Sequence, residues 1–301
     1  MKLKKCEYCG TEFDAALSQC PLCGKAVQPG AAEPQPVMPA AYKPAGGHGG
    51  KFSKKKGGRF AQHCAPARVV SILLSDVLGD PPDMIASGPA YPDSTTCEQA
   101  QAIAKKYDLH LSDLARNLLT KETPKDLPNA ESRITGSVRQ LCAAASESAQ
   151  ALGYKPVVLT ASLCCEARDA GSFLASIAQY HADSKESLAF IAGGETVVHL
   201  TGHGKGGRNQ ELALAAARGI DGLRDTLVFS LGSDGTDGPT DAAGGWVDGT
   251  TLRRLTEKGY DLDAVLQDND AYHALSAVDG LILTGPTGTN VNDLSVLLIR
   301  R

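Results

Sequence analysis

The sequence lacks an apolar run long enough to cross a membrane. Its longest apolar stretches fall well short of the roughly 20 residues that a transmembrane helix needs. Aromatic residues are also scarce, at 5%, although hydrophobic residues as a whole reach 42% of the 301 positions. This composition is typical of a globular protein whose core is large enough for two domains, so we expect no membrane partner.

The N-terminus lacks the pattern of a signal peptide, because the basic residues of MKLKKCEYCG are not followed by an apolar stretch. We therefore expect a cytoplasmic protein. The nine cysteines also lack the distribution of a disulfide framework: four form two CxxC pairs near the N-terminus and five are scattered. Paired CxxC motifs in a chain without a leader indicate metal binding.

The two CxxC pairs predict a zinc ribbon over residues 1–25, since each pair places two thiolates on one side of a turn. The predicted ligands are Cys6, Cys9, Cys20 and Cys23. A redox pair and an iron site of the rubredoxin type are the alternatives. Four thiolates leave no open coordination position, so we expect a structural Zn²⁺. Residues 26–50, rich in Pro, Ala and Gly, predict a disordered linker.

Positive charge is concentrated at the N-terminus. Residues 1–66 hold 10 Lys and Arg against 4 Asp and Glu, whereas the rest of the chain holds 20 against 30. A basic arm can contact nucleic acid or an acidic partner, or act only as a solubilising tail. We favour the tail and expect no nucleic-acid partner.

From about residue 60, short apolar runs alternate with helical patterns. The predicted strands are residues 69–75, 155–160, 188–192, 197–201, 226–231, 281–284 and 294–299. The predicted helices are residues 97–107, 137–152, 166–180, 209–218 and 250–258. This alternation predicts an α/β fold in two lobes, with a mainly parallel sheet and helices on both faces, besides the small zinc ribbon.

Polar clusters follow four of the predicted strands. They are Asp76, the run 193–195 that ends in Glu195, the Ser233-Asp234 pair, and the loop TGPTGTNVND at 284–293. Ligands of open α/β sheets bind beyond the carboxyl ends of the strands. We therefore expect these clusters to share one binding cleft.

The glycine-rich run GHGKGGRN at 202–209 leads into a predicted helix. Its glycines would let backbone amides approach an anion, and Arg208 adds a fork suited to phosphate or carboxylate. A glycine turn with a surface arginine is the alternative. The run matches neither the Walker pattern nor GxGxxG, because Asn209 replaces the last glycine.

Three carboxylates, Asp234, Asp237 and Asp241, lie close together in a second glycine-rich loop. Mg²⁺ binds through one or two carboxylates plus substrate phosphate, whereas aspartates that only form local turns are the alternative. The sequence has no GxSxG motif, and we expect no catalytic role for its scattered histidines. We expect Cys164 and Cys165 to be buried, inert thiols.

These loops closely resemble one known family. GGETVVHLTGHGKGGRNQELALAAA, SDGTDGPTDAAGGWVDGTT, DNDAYHAL and LTGPTGTNVNDL resemble the C-terminal (MOFRL) domain of glycerate 2-kinases. Upstream, GGRFAQHCAPARVVSILLSDVLGDPPDMIASGPAYPDSTT resembles part of the family's Rossmann-like N-terminal domain. The resemblance assigns residues 51–188 to a partial N-terminal domain and 189–301 to the MOFRL domain. It implies phosphorylation of D-glycerate to 2-phosphoglycerate with ATP and Mg²⁺.

The resemblance also implies residue roles. Arg208 would clamp the transferring phosphoryl group or the substrate carboxylate, with Asp234 and Asp237 contacting metal or nucleotide. The other expected binding residues are Asp76, Ser87, Gly88, Glu195, Gly206, Gly207, Asn209, Glu211, Thr287 and Asn290.

Family members carry more of the Rossmann-like domain, with an active-site lysine and a glycine/serine-rich loop that are missing here. The resemblance therefore predicts an incomplete cleft and an exposed strand edge or apolar face. Three interpretations remain open: an impaired glycerate 2-kinase, a non-catalytic zinc-ribbon sensor, and a chain completed by a homodimer or a complementing subunit.

Overall fold

The structure, a computed structural model, describes the backbone of residues 3–5 and 12–14 and the whole of residues 55–301. The chain forms two units, Met1–Gly47 and His48–Arg301. In the first unit, strands β1 (Leu3–Lys5) and β2 (Glu12–Asp14) pair antiparallel. The four cysteines predicted to bind zinc lie outside the described residues, as does the predicted linker 26–50.

The second unit begins with a small parallel sheet and short helices. Helix α1 (Arg59–Cys64) precedes strand β3 (Val69–Leu74), and a 3₁₀ turn follows at Ile85–Ser87. Helices α2 (Cys97–Lys106) and α3 (Asp113–Leu118) connect β3 to β4 (Ala130–Gly136). Thr96 and Gln99 form a capping box at the start of α2. Strands β3 and β4 pair in parallel as a two-stranded sheet.

The second half of this unit is built on a six-stranded sheet. Its strands are β5 (Lys155–Leu163), β6 (Leu188–Gly194), β7 (Thr226–Gly232), β8 (Gly244–Asp248), β9 (Leu281–Ile282) and β10 (Asp293–Ile299). Their order across the sheet is β5-β6-β10-β7-β8-β9.

The prediction of a mainly parallel sheet is wrong. Only β5 and β6 pair in parallel within the six-stranded sheet, and the four other pairings are antiparallel. The cause is strand β10, which enters antiparallel between β6 and β7. All but one of its residues are buried, so its sequence is the near-continuous apolar run that a central parallel strand also shows.

Helices cover both faces of this sheet. On one face, α4 (Val138–Ala151) places Val138 and Cys142 against Ile191. On the other, α5 (Ala167–Tyr180) and α6 (Arg208–Ala216) form the main core with α7 (Thr251–Glu257), α8 (Leu262–Gln267) and α9 (Ala271–Ala277). The alternating side chains of β10 supply both cores, with Leu297 on the α6 side and Val296 on the α4 side.

Several predicted elements differ from those observed. Residues 197–201 do not form a strand, and Val197 makes only an isolated bridge with Glu166. Strands β4 and β8 were not predicted, because polar residues and glycines interrupt their apolar patterns. None of the helices that the structure describes is long and apolar enough to span a membrane.

Candidate active site

The ends of three central strands meet at one edge of the six-stranded sheet. Asp293, the first residue of β10, lies opposite Gly194 at the end of β6 and opposite Gly232 at the end of β7. The loops that begin at Glu195 and Ser233 therefore leave the sheet beside the loop that leads into β10. This geometry brings together the predicted polar clusters of these strands.

Arg208, the first residue of α6, lies at this edge and is held by two carboxylates. Its Nε donates to Asp293 Oδ2 at 2.5 Å and its Nη2 to Asp293 Oδ1 at 3.0 Å. Its Nη1 lies 3.3 Å from Glu195 Oε1. The hydrogen bonds with Asp293 raise the pKa of Arg208 further above its usual value. The guanidinium is thus fixed in place and half-buried, with part of its edge open to a ligand.

Asp237 caps the helix that carries Arg208. Its side chain is buried, and its carboxylate oxygens accept from Asn209 N at 3.2 Å and from Gln210 N at 2.9 Å. Burial raises the pKa of Asp237 to about 6, although these hydrogen bonds act in the opposite direction. A protein carboxylate therefore occupies the helix N-terminus at which the sequence predicted a bound anion.

Gly207 allows this close approach, because a side chain there would overlap the Asp237 carboxylate. A side chain at Gly238, whose φ is +60°, would overlap the carbonyl of Gly206. Gly207 and Gly238 thus serve the packing of two loops against each other.

Asn209 and Glu211 were predicted to bind ligand, but the structure places both side chains in the interior. Asn209 is 1% exposed and accepts from Ser230 Oγ at 2.5 Å. Glu211 is 2% exposed; its oxygens accept from Arg168 Nε at 2.5 Å and from Asn269 Nδ2 at 3.0 Å. Both residues support α6 from within the core.

Residues 268–270 hold the glycine-rich loop. Asn269 Oδ1 accepts from Thr201 N at 2.7 Å and from Gly202 N at 3.0 Å. The backbone of the next three loop residues donates to Asp268 Oδ1, Asp268 O and Asp270 Oδ1, respectively. Five successive loop amides therefore bond to protein rather than to a ligand. No role was predicted for this DND segment, although its three adjacent acceptor side chains were the available signal.

A cavity of about 540 Å³ opens beside this edge. Its lining residues are Leu74, Asp76, Asp234, Thr236, Pro286, Gly288, Thr289 and Asn290. Three predicted binding residues, Asp76, Asp234 and Asn290, are thus brought together. Thr287 supports the wall, because its Oγ1 donates to Ser233 O at 2.6 Å.

Other predicted residues lie apart from this cavity. The backbone carbonyls of Ser87 and Gly88 accept from the amides of Gly57 and Gly58, so this turn holds the start of the described segment. Asp241 accepts from Tyr272 Oη at 2.7 Å, a bond that lowers the pKa of its carboxyl group.

Cys164 and Cys165 were expected to be buried, but both are exposed, because they follow the end of the edge strand β5. Partial desolvation of the sulfur and the neighbouring acidic groups raise the pKa of the Cys165 thiol. The thiolate form is therefore disfavoured.

The residues present fit a magnesium ion only in part. Within residues 55–301, no group of three or more His, Cys, Asp and Glu side chains is arranged to hold a metal. Asp76 and Asp234 nevertheless line one cavity, and Mg²⁺ typically binds one or two carboxylates together with substrate phosphates. The donor set suits a metal that arrives with a nucleotide.

Comparison with known proteins places these loops in a family. Residues 188–293 match the MOFRL family and residues 50–120 match a domain of unknown function, DUF4147. The D-glycerate 2-kinase of Thermotoga maritima is 50% identical over 252 residues, a match that covers 82% of this chain and 60% of that protein. A glycerate kinase of Macaca fascicularis is 33% identical, with 83% of this chain and 76% of that protein covered.

A solved structure gives the same result. The crystal structure of a glycerate kinase from Thermotoga maritima superposes with a TM-score of 0.79 at 49% identity, covering 83% of this chain and 61% of that one. The chain thus spans about 60% of the length of the first relatives that it matches.

Proposed function

Because the chain belongs to the glycerate kinase family, we propose that it carries part of a D-glycerate 2-kinase site. The reaction transfers the γ-phosphoryl group of ATP to the 2-hydroxyl of D-glycerate and yields ADP and 2-phosphoglycerate. The observation that supports this proposal most directly is the cavity lined by Asp76 and Asp234 near the edge that fixes Arg208.

Each group has a role that follows from its position. One of the carboxylates Asp76 and Asp234 would hold the Mg²⁺ that accompanies the nucleotide phosphates, which leaves the other to act as a base. The open edge of the Arg208 guanidinium would bind an anionic oxygen, of the substrate carboxylate or of the transferring phosphoryl group. The hydroxyl oxygen forms the new bond to phosphorus as the bond to ADP breaks, and Asp76 and Asp234 are the nearby carboxylates that can take the hydroxyl proton.

The charge balance of the site indicates that ligand binding would need further positive charge. Arg208 is surrounded by the carboxylates of Glu195 and Asp293, and the cavity adds those of Asp76 and Asp234. ATP and glycerate are both anions, so a site with this balance requires further positive charge. Mg²⁺ supplies part of it. We propose that additional polypeptide, in a complementing subunit or a second copy of the chain, supplies the rest.

The exposed apolar face of strand β3 supports the proposal of additional polypeptide. Val70, Ile72 and Leu74 are 52%, 64% and 46% exposed, and they alternate with less exposed residues along the strand. Parallel strands are normally covered on both faces, and a two-stranded sheet is at best marginally stable alone. The open apolar face fits a surface that further strands or helices would cover.

A second function is ligand binding without turnover. Two features favour it: Glu195 and Asp293 balance the charge of Arg208, and Asp237 caps the N-terminus of α6. Both lower the positive potential that catalysis of phosphoryl transfer requires. The zinc ribbon at 1–25, with structural Zn²⁺ on Cys6, Cys9, Cys20 and Cys23, would then serve docking. Metal analysis of the purified chain, compared with a Cys6→Ser/Cys9→Ser variant, tests that site.

Activity assays with Mg²⁺-ATP and D-glycerate test the main proposal, and phosphorus NMR separates 2-phosphoglycerate from the 3-isomer. Arg208→Ala should lower kcat/KM by roughly 10³-fold, the size expected for loss of a charged phosphoryl contact. Arg253→Ala, at an exposed position of α7, is the matched control. Absence of turnover together with absence of calorimetric binding of both ligands would refute both functions, whereas binding without turnover would select the second.

A further inference from the structure

Asn292 stands immediately before β10 with a left-handed backbone, which asparagine adopts more readily than most residues but less readily than glycine. Its side chain is 3% exposed, and its φ of +67° lies in the left-handed region, which glycine adopts more easily. Its backbone carbonyl accepts from Ser233 N at 3.0 Å, and its backbone N–H donates to Asn290 Oδ1 at 3.0 Å. The residue therefore joins the end of β7 to the start of β10.

The side-chain amide has a defined orientation. One of its terminal atoms lies 2.8 Å from Asp76 O and 3.2 Å from Glu195 Oε2, which are both acceptors, so this atom is the NH₂ group. The other atom, Oδ1, is buried and has no hydrogen-bond partner within residues 55–301. A buried acceptor without a partner destabilises the folded state.

Glycine at this position would relieve both the backbone strain and the unpaired oxygen. Compared with glycine, asparagine adds only the two hydrogen bonds of its NH₂ group, and both acceptors, Asp76 O and Glu195 Oε2, belong to residues of the site. Glu195 uses its other oxygen to contact Arg208 at 3.3 Å, and the Asp76 side chain lines the cavity. Residues that store strain at such a position are typical of functional sites.

We propose that Asn292 is a positioning residue of the kinase site. Its one NH₂ group donates both to the Glu195 carboxylate and to the Asp76 carbonyl, and so sets the cavity residue Asp76 relative to Arg208. This inference rests on the proposed function, because the geometry matters only if Asp76 and Arg208 act on the same ligands. A purely structural asparagine would instead be one whose removal lowers stability and activity together.

The first test separates stability from activity with Asn292→Gly. The variant should keep or raise the thermal midpoint while kcat/KM for D-glycerate falls by roughly 10- to 100-fold, as expected for a misplaced reacting group. Asp279→Gly is the matched control, since Asp279 has a φ of +55° and an exposed side chain away from the site. The control should keep full activity. A lower midpoint with a proportionate loss of activity, or unchanged activity, would overturn the proposal.

A second variant, Asn292→Asp, gives a signature in pH. The new carboxylate would face the Glu195 carboxylate and the carbonyl of Asp76, while Arg208 contacts the other oxygen of Glu195. These groups would raise its pKa, and on protonation it would again present a donor. The activity of the variant relative to wild type should therefore rise as pH falls from 8 to about 5.5. A ratio that does not change with pH would contradict the proposal.

Hydrogen exchange tests the inference even if the chain alone shows no turnover. In Asn292→Gly, amides of residues 74–77 and 193–196 should exchange faster than in wild type, whereas Asp279→Gly should leave them unchanged. Faster exchange in these two segments with no wild-type activity would support the positioning role and refute the proposed activity of the chain. Unchanged exchange in both segments would refute the positioning role directly.

Discussion

At the scale of the residue, Asp237 shows how burial and hydrogen bonding oppose each other. Its carboxyl accepts backbone N–H groups at the start of α6, which favours the charged form, but burial favours the neutral form and raises the pKa from 3.8 to about 6. The folded protein therefore binds a proton at this group more tightly than the unfolded chain. Its contribution to stability is full below pH 3.8 and is lost as pH rises through 6.

Asp237→Asn should remove this dependence on pH. A shift of about 2 pKa units corresponds to about 3 kcal/mol, so the unfolding free energy of the variant should gain about that much relative to wild type between pH 4 and 7. Urea unfolding of both proteins at the two pH values measures the difference. A relative loss of stability by the variant over the same range would show that the hydrogen bonds, not burial, govern the charge of Asp237.

The roles of single residues could be predicted from the sequence only in part, because the fold decides which polar side chains are buried. Arg208 and Asp234 could be singled out because their neighbours are glycines and polar residues that suit a ligand. Asn209 and Glu211 carry the same polar chemistry, yet they point into the core, where Ser230 and Arg168 satisfy them. Sequence spacing along α6 does not show which of its faces meets a buried polar network, so these residues could not be separated beforehand.

At the scale of the element, the glycine-rich loop depends on the segment at 268–270. Asn269 and Asn292 are both buried asparagines with left-handed backbones, but they differ in their partners. Asn269 uses both ends of its amide: Oδ1 accepts two loop N–H groups, and Nδ2 donates to the buried Glu211 carboxylate. Its removal leaves two loop N–H groups and an oxygen of the buried Glu211 carboxylate without that partner.

Asn269→Gly should therefore destabilise the protein by about 2–4 kcal/mol, since glycine keeps the backbone conformation but removes these hydrogen bonds. Asn292→Gly is its matched comparison and should change stability little. Chemical unfolding of the two variants side by side measures the contrast. Equal losses in the two variants would mean that backbone conformation, not the amide network, determines the stability at both positions.

Element prediction succeeded where local pattern decides the structure. Strands β5, β6 and β7 and helices α4 and α5 could be predicted from apolar runs, helical periodicity and capping residues. The direction of β10 could not, because LSVLLI is equally suited to a parallel or an antiparallel central strand. Residues 197–201 have strand-like composition, but hydrogen bonds from Thr201 and His199 to Asn269 and Glu166 hold them as a loop.

At the scale of the whole molecule, strand β3 differs from the central strands of the six-stranded sheet because its apolar side chains are exposed. An exposed strand edge or apolar face was predicted, and the side chains of Val70, Ile72 and Leu74 are exposed on β3. The six-stranded sheet, in contrast, has helices on both faces and contains the two main cores. Exposed apolar surface of this kind is either an interface or a site of aggregation.

Ile72→Lys should reduce the exposed apolar surface without unfolding the protein, because the Ile72 side chain is already 64% exposed and a lysine at this position would remain in water. We expect weaker binding of a hydrophobic dye, less self-association in light scattering, and a thermal midpoint close to that of wild type. Ile103→Lys, at a 55% exposed position of α2, is the matched control and should change dye binding much less.

If additional polypeptide completes the site across this face, Ile72→Lys should also abolish whatever turnover the complete assembly shows, although Ile72 does not line the cavity. Lysine at an interface core would bury an unpaired charge, which is far more costly than its exposure on the isolated chain. Full activity of Ile72→Lys in an active assembly would show that the β3 face is not the interface and that the missing positive charge reaches the cavity from another side.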